Sequence, residues 1–154
     1  MDEIQITDSL KKFTDSPYAL ADLASGWDCV NMLLEFYGPK LPRQFGDWTE
    51  QNYAGRWRAD EATARKVLRQ YLLSLGCSIP RNYMLPGDLI LCEQEKEKGS
   101  DFALESDPFS FSIPMFPAIY QGNAHVLINW GLKKGVRSIP LRFIEPIIID
   151  VRRI

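Results

Sequence analysis

The fold turns on residues 28–37, Asp28-Cys29-Val30-Asn31-Met32-Leu33-Leu34-Glu35-Phe36-Tyr37. Val30, Leu33, Leu34 and Tyr37 recur at helical spacing, so the stretch predicts a helix buried along one face. Asp28 suits the N-cap and Gly38-Pro39 ends the helix. Cys29 then falls in the first turn, at the positive end of the helix dipole, where a thiolate is favoured. Two readings follow for Cys29: a nucleophile, or a small buried residue that packs the helix.

Working outward, residues 5–13 predict a short helix broken by Ser16-Pro17. Residues 39–59, rich in Pro, Gly and aromatics, predict an ordered surface excursion pinned by Trp48, Tyr53 and Trp57. Residues 60–75 predict a helix capped by Asp60, with a stripe of Val67, Leu68, Tyr71, Leu72 and Leu75 and a terminating Gly76. After Pro86-Gly87-Asp88 the pattern changes to a strand, Leu89-Ile90-Leu91-Cys92-Glu93. Residues 94–101 read as a solvated loop and 102–114 as irregular. Further strands are expected at 116–120, 124–130, 135–139 and 146–151, with turns at Gly122-Asn123 and Lys133-Lys134-Gly135. Helices first and strands after make this an α+β chain. It is read as a single domain over 1–154, helical over about 1–80 and sheet over about 84–154. Hairpin-length connections predict an antiparallel sheet of about five strands.

Bulk properties narrow the function classes. The 154 residues carry a net charge of -2, so no basic field supports nucleic-acid binding. Cys29, Cys77 and Cys92 are odd in number and fit no metal spacing, which argues for reduced thiols and against a bound metal or cofactor. The opening residues lack the basic and apolar parts of a signal peptide, and apolar runs fall far short of the roughly 20 residues that span a bilayer. The expectation is a soluble chain made in the cytosol.

Two stretches carry a family resemblance: Gly26-Trp27-Asp28-Cys29-Val30 at a helix start, and Pro86-Gly87-Asp88-Leu89-Ile90 followed by Ile119-Tyr120-Gln121-Gly122-Asn123. In this order, over roughly residues 18–142, they resemble NlpC-type, papain-like cysteine peptidases. The chain is also similar to short bacteriophage tail proteins built on that fold. The shared elements there are Trp27-Asp28-Cys29, Gly87-Asp88, Ala118-Ile119-Tyr120-Gln121-Gly122, Gly135-Val136-Arg137-Ser138-Ile139-Pro140-Leu141 and Asp150-Val151-Arg152-Arg153. The resemblance implies a papain-like fold, a nucleophile at Cys29, a histidine base and a polar third residue. It also implies a place in a virion tail, with other tail or baseplate proteins in symmetric copies as partners, and peptidoglycan as substrate if the chain is active.

The family histidine lies four residues before the Tyr of its Gly-Ile-Tyr strand, which here is Phe116, and the third residue twelve further on, at Ile128. A slip of one residue substitutes Pro117 and Asn129. Either way the base is missing. The chain's one histidine is His125, on the next strand. An active site would need Cys29, His125 and Asn129 together. A structural tail protein would instead dock through its aromatic segments, with Trp48, Tyr53, Arg56, Trp57, Phe109 and Phe111 as candidate interface residues. Trp48, Tyr53 and Trp57 have a second reading, as a satellite cluster beneath a long loop. Asp88 is expected to shape the turn into its strand.

Overall fold

In the computed structural model, which describes residues 3–19, 28–93, 115–129 and 135–154, helix α1 (Glu3–Lys11) and helix α2 (Cys29–Tyr37) lead the chain. Helix α2 is central. Cys29, Val30, Asn31, Met32, Leu33, Leu34 and Tyr37 are all buried, so it is enclosed on more than the one face its apolar period predicts. Gly38 ends it at a φ of 60°, which a glycine adopts without the clash a Cβ brings.

The excursion after α2 is more regular than its composition suggests. Strands β1 (Gln44–Phe45) and β2 (Trp48–Thr49) form a small hairpin, and helix α3 (Tyr53–Ala59) follows. Seven residues are too few to show helical periodicity, so α3 is invisible to pattern reading. Helix α4 (Glu61–Ser74) matches expectation. The Asp60 side chain caps it by accepting from the Thr63 backbone N–H, and Ala64, Leu68, Tyr71 and Leu72 face inward.

The remaining strands are β3 (Cys77–Ser78), β4 (Leu89–Glu93), β5 (Met115–Gly122), β6 (His125–Asn129), β7 (Val136–Pro140) and β8 (Ile148–Arg153). They form one antiparallel sheet in the order β3-β8-β4-β5-β6-β7. The sheet therefore has six strands, not about five. The extra one, β3, is two residues long and comes from the part of the chain expected to be helical. The chain leaves β7 at one edge and returns through residues 141–147, two short turns of 3-10 helix, to place β8 between β3 and β4.

Both sheet faces are covered. Leu89, Leu91, Met115, Ile119, Leu127 and Val136 pack with the helices. On the opposite face Ile90, Cys92, Phe116, Ala118, Val126 and Ile128 pack under Ile144, Leu141 and Ile147 of the returning segment. This explains why β4 reads as an unbroken apolar run: a strand buried on both sides has no polar face to alternate with. The expected loop at 94–101 and irregular segment at 102–114 lie outside the described residues.

Candidate functional site

Asp28 sits at the head of α2 in an extended conformation, φ -95° and ψ 176°. Its Oδ1 accepts from the Asn31 N–H at 2.8 Å, and the Asn31 Oδ1 accepts from the Asp28 N–H at 2.7 Å, a reciprocal capping box. The Tyr53 hydroxyl of α3 donates to Asp28 Oδ2 at 2.6 Å. Asp28 is fully buried and Cys29, the first helical residue, is 7% exposed. Burial first, then the charge and hydrogen bond of Asp28, push the Tyr53 pKa far above the ordinary phenol value, so the hydroxyl stays a donor. The Asp-Cys pair thus has a structural function in this chain: Asp28 ties the start of α2 to α3.

The strand register decides what faces this corner. Alternation along β5 puts Met115 and Ile119 on the helix side and Phe116 and Ala118 on the other. Along β6, Leu127 faces the helices while Val126 and Ile128 face away. Phe116 and Ile128, which the ungapped resemblance matches to the base and third residue, therefore lie on the face of the sheet away from the helices. Pro117 and Asn129 lie on the helix side. Ala118 pairs with Ile128, so Pro117 and Asn129 are neighbours across the two strands. Both are buried. Of the two pairs, Pro117 and Asn129 is therefore the one that faces the helices, and a proline ring carries no titratable group.

His125 does not replace it. It opens β6 opposite Gly122, is exposed, and its Nδ1 lies 2.7 Å from the Asn123 carbonyl of its own turn. The two ends of α2 fix the distance. The Tyr37 hydroxyl donates to the Gly87 carbonyl at 2.9 Å, and the Gly87 N–H donates to the Tyr120 carbonyl, so the C-terminal end of α2 lies at the His125 end of the sheet. At the other end, residues Asp15 and Ser16 hydrogen-bond Val136, which pairs with Asn129, and nearby Tyr18 lies close enough to Tyr53 to act on it electrostatically. Cys29 belongs to that second end. Nine residues of helix separate the two ends by about 12 Å. Cys29 and Asn129 thus lie towards one end of the sheet and His125 lies at the other.

The aromatic residues read as interface candidates are core. Trp48, Tyr53 and Trp57 are 5%, 2% and 4% exposed. Trp48 packs edge-on against Tyr53 and Tyr71, with centroids 5.6 and 5.9 Å apart. Their burial corrects the expectation of a docking surface at those rings: short α3 folds them under the excursion. Arg56 is exposed and pairs with Asp47 at 2.9 Å. Phe109 and Phe111 lie outside the described residues.

Asp88 does shape its turn, and does more. It accepts from the Leu85 N–H at 2.7 Å and receives two bonds from Arg153, from Nε at 2.9 Å and from one Nη at 2.7 Å. The Gly-Asp turn and the arginine-bearing last strand are thereby clamped together. Sequence reading noted both motifs without pairing them, since they are 65 residues apart.

Among the described residues no group of three or more His, Cys, Asp or Glu side chains could hold a metal ion, and no helix is long and apolar enough to cross a membrane. No protein-family model matches the chain, and no curated protein matches it.

Proposed function

We propose that this chain is a structural component of a bacteriophage tail tip or baseplate, using an NlpC-like fold without its catalysis. The observation that carries the reading is Pro117. It stands beside Asn129 on the helix-facing side, at the position that the peptidase resemblance gives to the base when its register is slipped by one residue from Phe116. A papain-like mechanism needs a group there to take and return a proton. Proline has none. The Asp28 capping network gives the retained Asp-Cys pair a reason to persist without chemistry, since folds outlast their activities.

A second reading keeps one observation in its favour: Cys29 and Asn129 share one end of the fold. In it the chain is a cysteine endopeptidase or amidase cutting cell-wall peptides, with Cys29 as nucleophile, His125 as base and Asn129 as orienter. It requires His125 to leave its turn and reach the opposite end of β6.

The test is deletion of the coding sequence from the phage that carries it, with imaging of the particles. Loss of the tail tip, restored equally by the wild-type and the Cys29→Ser protein, is the expected result. Normal particles, or restoration by wild type alone, would overturn the structural reading. In parallel, iodoacetamide labelling of Cys29 should be unaffected by His125→Ala. Labelling that is fast at neutral pH and slowed by that substitution would favour the peptidase.

A further inference from the structure

At the other end of α2 from Cys29 lies a cleft of about 200 Å³ that neither reading uses. Its floor is apolar, made by Ile6 of α1, Phe36 of α2 and the Leu85-Pro86 turn. Lys40, Asp88 and Arg153 contribute its charged side chains. Pockets that enclose small molecules run to roughly 300–1,000 Å³. This one is smaller, the size for a single anchoring side chain.

Apolar surface continues beyond the cleft. Leu85 is 55% exposed and nearby Tyr83 is 64% exposed, the two most exposed large apolar residues described. Leu85 lines the cleft and Tyr83 lies outside it, so a ligand confined to the cleft would leave Tyr83 wet, whereas a partner laid across it would cover both. Both Asp88 oxygens are taken up by Arg153 and the Leu85 N–H, so this carboxylate offers little to a ligand. Lys40 has no ion-pair or hydrogen-bond partner among the described residues, and neither has Nη1 of Arg153. The walls are set: the Tyr37 hydroxyl is bonded to the Gly87 carbonyl, and Gly87 sits against Ile6 so closely that a Cβ would lie 3.1 Å from its Cδ1. A preformed apolar slot beside an unpaired cation suits a protein segment with an apolar side chain next to an acidic one.

We infer that this cleft docks a peptide segment of a partner protein, an apolar anchor entering between Ile6, Phe36 and Leu85 and an adjoining carboxylate meeting Lys40. The partner's identity as a tail protein rests on the assembly reading above; the peptide chemistry does not.

The probe is the blocked tripeptide acetyl-Asp-Leu-Phe-amide, titrated into the full ¹⁵N-labelled chain and followed by amide chemical shifts. Its neutral counterpart acetyl-Asn-Leu-Phe-amide serves as control. Saturable shifts should appear at Ile6, Phe36, Gly87 and Ile154, with the acidic peptide about two- to fivefold tighter, the range of one exposed charge pair. Lys40→Glu should reverse that preference, and Leu85→Asp should weaken both peptides. Both residues are exposed, so these variants fold. Absence of shifts at millimolar peptide, or equal affinity for the neutral peptide, would overturn the proposal. So would shifts at the same residues that grow with protein concentration alone, which would make the cleft an interface between copies of this chain. If deletion of the gene leaves tails normal while the peptide still binds, the assembly reading fails and the docking site stands.

Discussion

Replacing Tyr53 by Phe removes one oxygen from the described core and tests whether the Asp28–Tyr53 bond anchors the head of α2. The hydroxyl lies 2.6 Å from Asp28 Oδ2, and both residues are buried, at 2% and 0% exposure. A hydrogen bond to a charged, buried acceptor contributes about 1.5–3 kcal/mol, and its loss leaves the carboxylate short of a donor. The ring contact with Trp48, centroids 5.6 Å apart, is unchanged in Phe, so packing should not contribute. For a domain of this size that loss corresponds to a fall in Tm of about 3–12 °C. Urea unfolding followed by tryptophan fluorescence would measure it. A double-mutant cycle with Asp28→Asn would isolate the pair, with a coupling of at least about 1 kcal/mol expected. Iodoacetamide should also reach Cys29 faster in Tyr53→Phe, because the helix start frays. A loss below about 0.5 kcal/mol, or no coupling in the cycle, would refute the claim that this bond holds the Asp-Cys corner.

Three further outcomes are expected. Among the cysteines other than Cys29, Cys77 is exposed and should alkylate readily, whereas burial pushes the Cys92 thiol up to about 12 and should protect it until unfolding; mass spectrometry after graded labelling in urea checks this. Gly76→Ala should cost at least about 2 kcal/mol in denaturant unfolding, because φ is +54° there and a Cβ would run into the Arg153 carbonyl on β8; a neutral variant would contradict the close approach of the two segments. Hydrogen bonds from Thr63 hold Asp60 below the usual carboxylate range, and at Asp150 burial, which acts upward, is outweighed by bonds from Ser78 and Arg152. Depressed carboxylates add stability that is complete above the unfolded pKa of about 3.9 and is lost as pH falls further. Tm should therefore hold from pH 7 to 5 and drop below about pH 4, with a shallower drop in Asp60→Asn and Asp150→Asn; an equal slope in both variants would remove these groups as the cause.

Much of the fold was legible because its signals are local. Helix α4 announced itself by period and cap, and the β5–β6 turn by Gly122-Asn123, where positive φ at Gly122, Asn123 and Ala124 is now seen. Strand β3 was not legible, since two residues carry no period and pairing with Arg152 and Arg153 alone makes them a strand. Helix α3 was missed for the same reason of length, and without it the two readings of Trp48, Tyr53 and Trp57, buried satellite cluster or docking surface, stayed open. An aromatic cluster reads identically whether it lies under a loop or on top of one; only the hairpin and α3 folding over it decide.

At the candidate site the sequence by itself determined the cap at Asp28, the place of Cys29 in the first turn of α2, and a single histidine at 125. It also left two registers open, Phe116 with Ile128 or Pro117 with Asn129. Only the tertiary structure shows which pair faces the helices, because side chains alternate with a period of two and a shift of one residue moves every group to the opposite face of the sheet. Pairing of β5 with β4 and β6 set that alternation through contacts 22 to 30 residues apart in the case of β4, and through the Gly122 turn in the case of β6. The same non-local packing joined Asp88 to Arg153 and put His125 at the end of the sheet away from Cys29, which no pattern of neighbours along the chain could disclose.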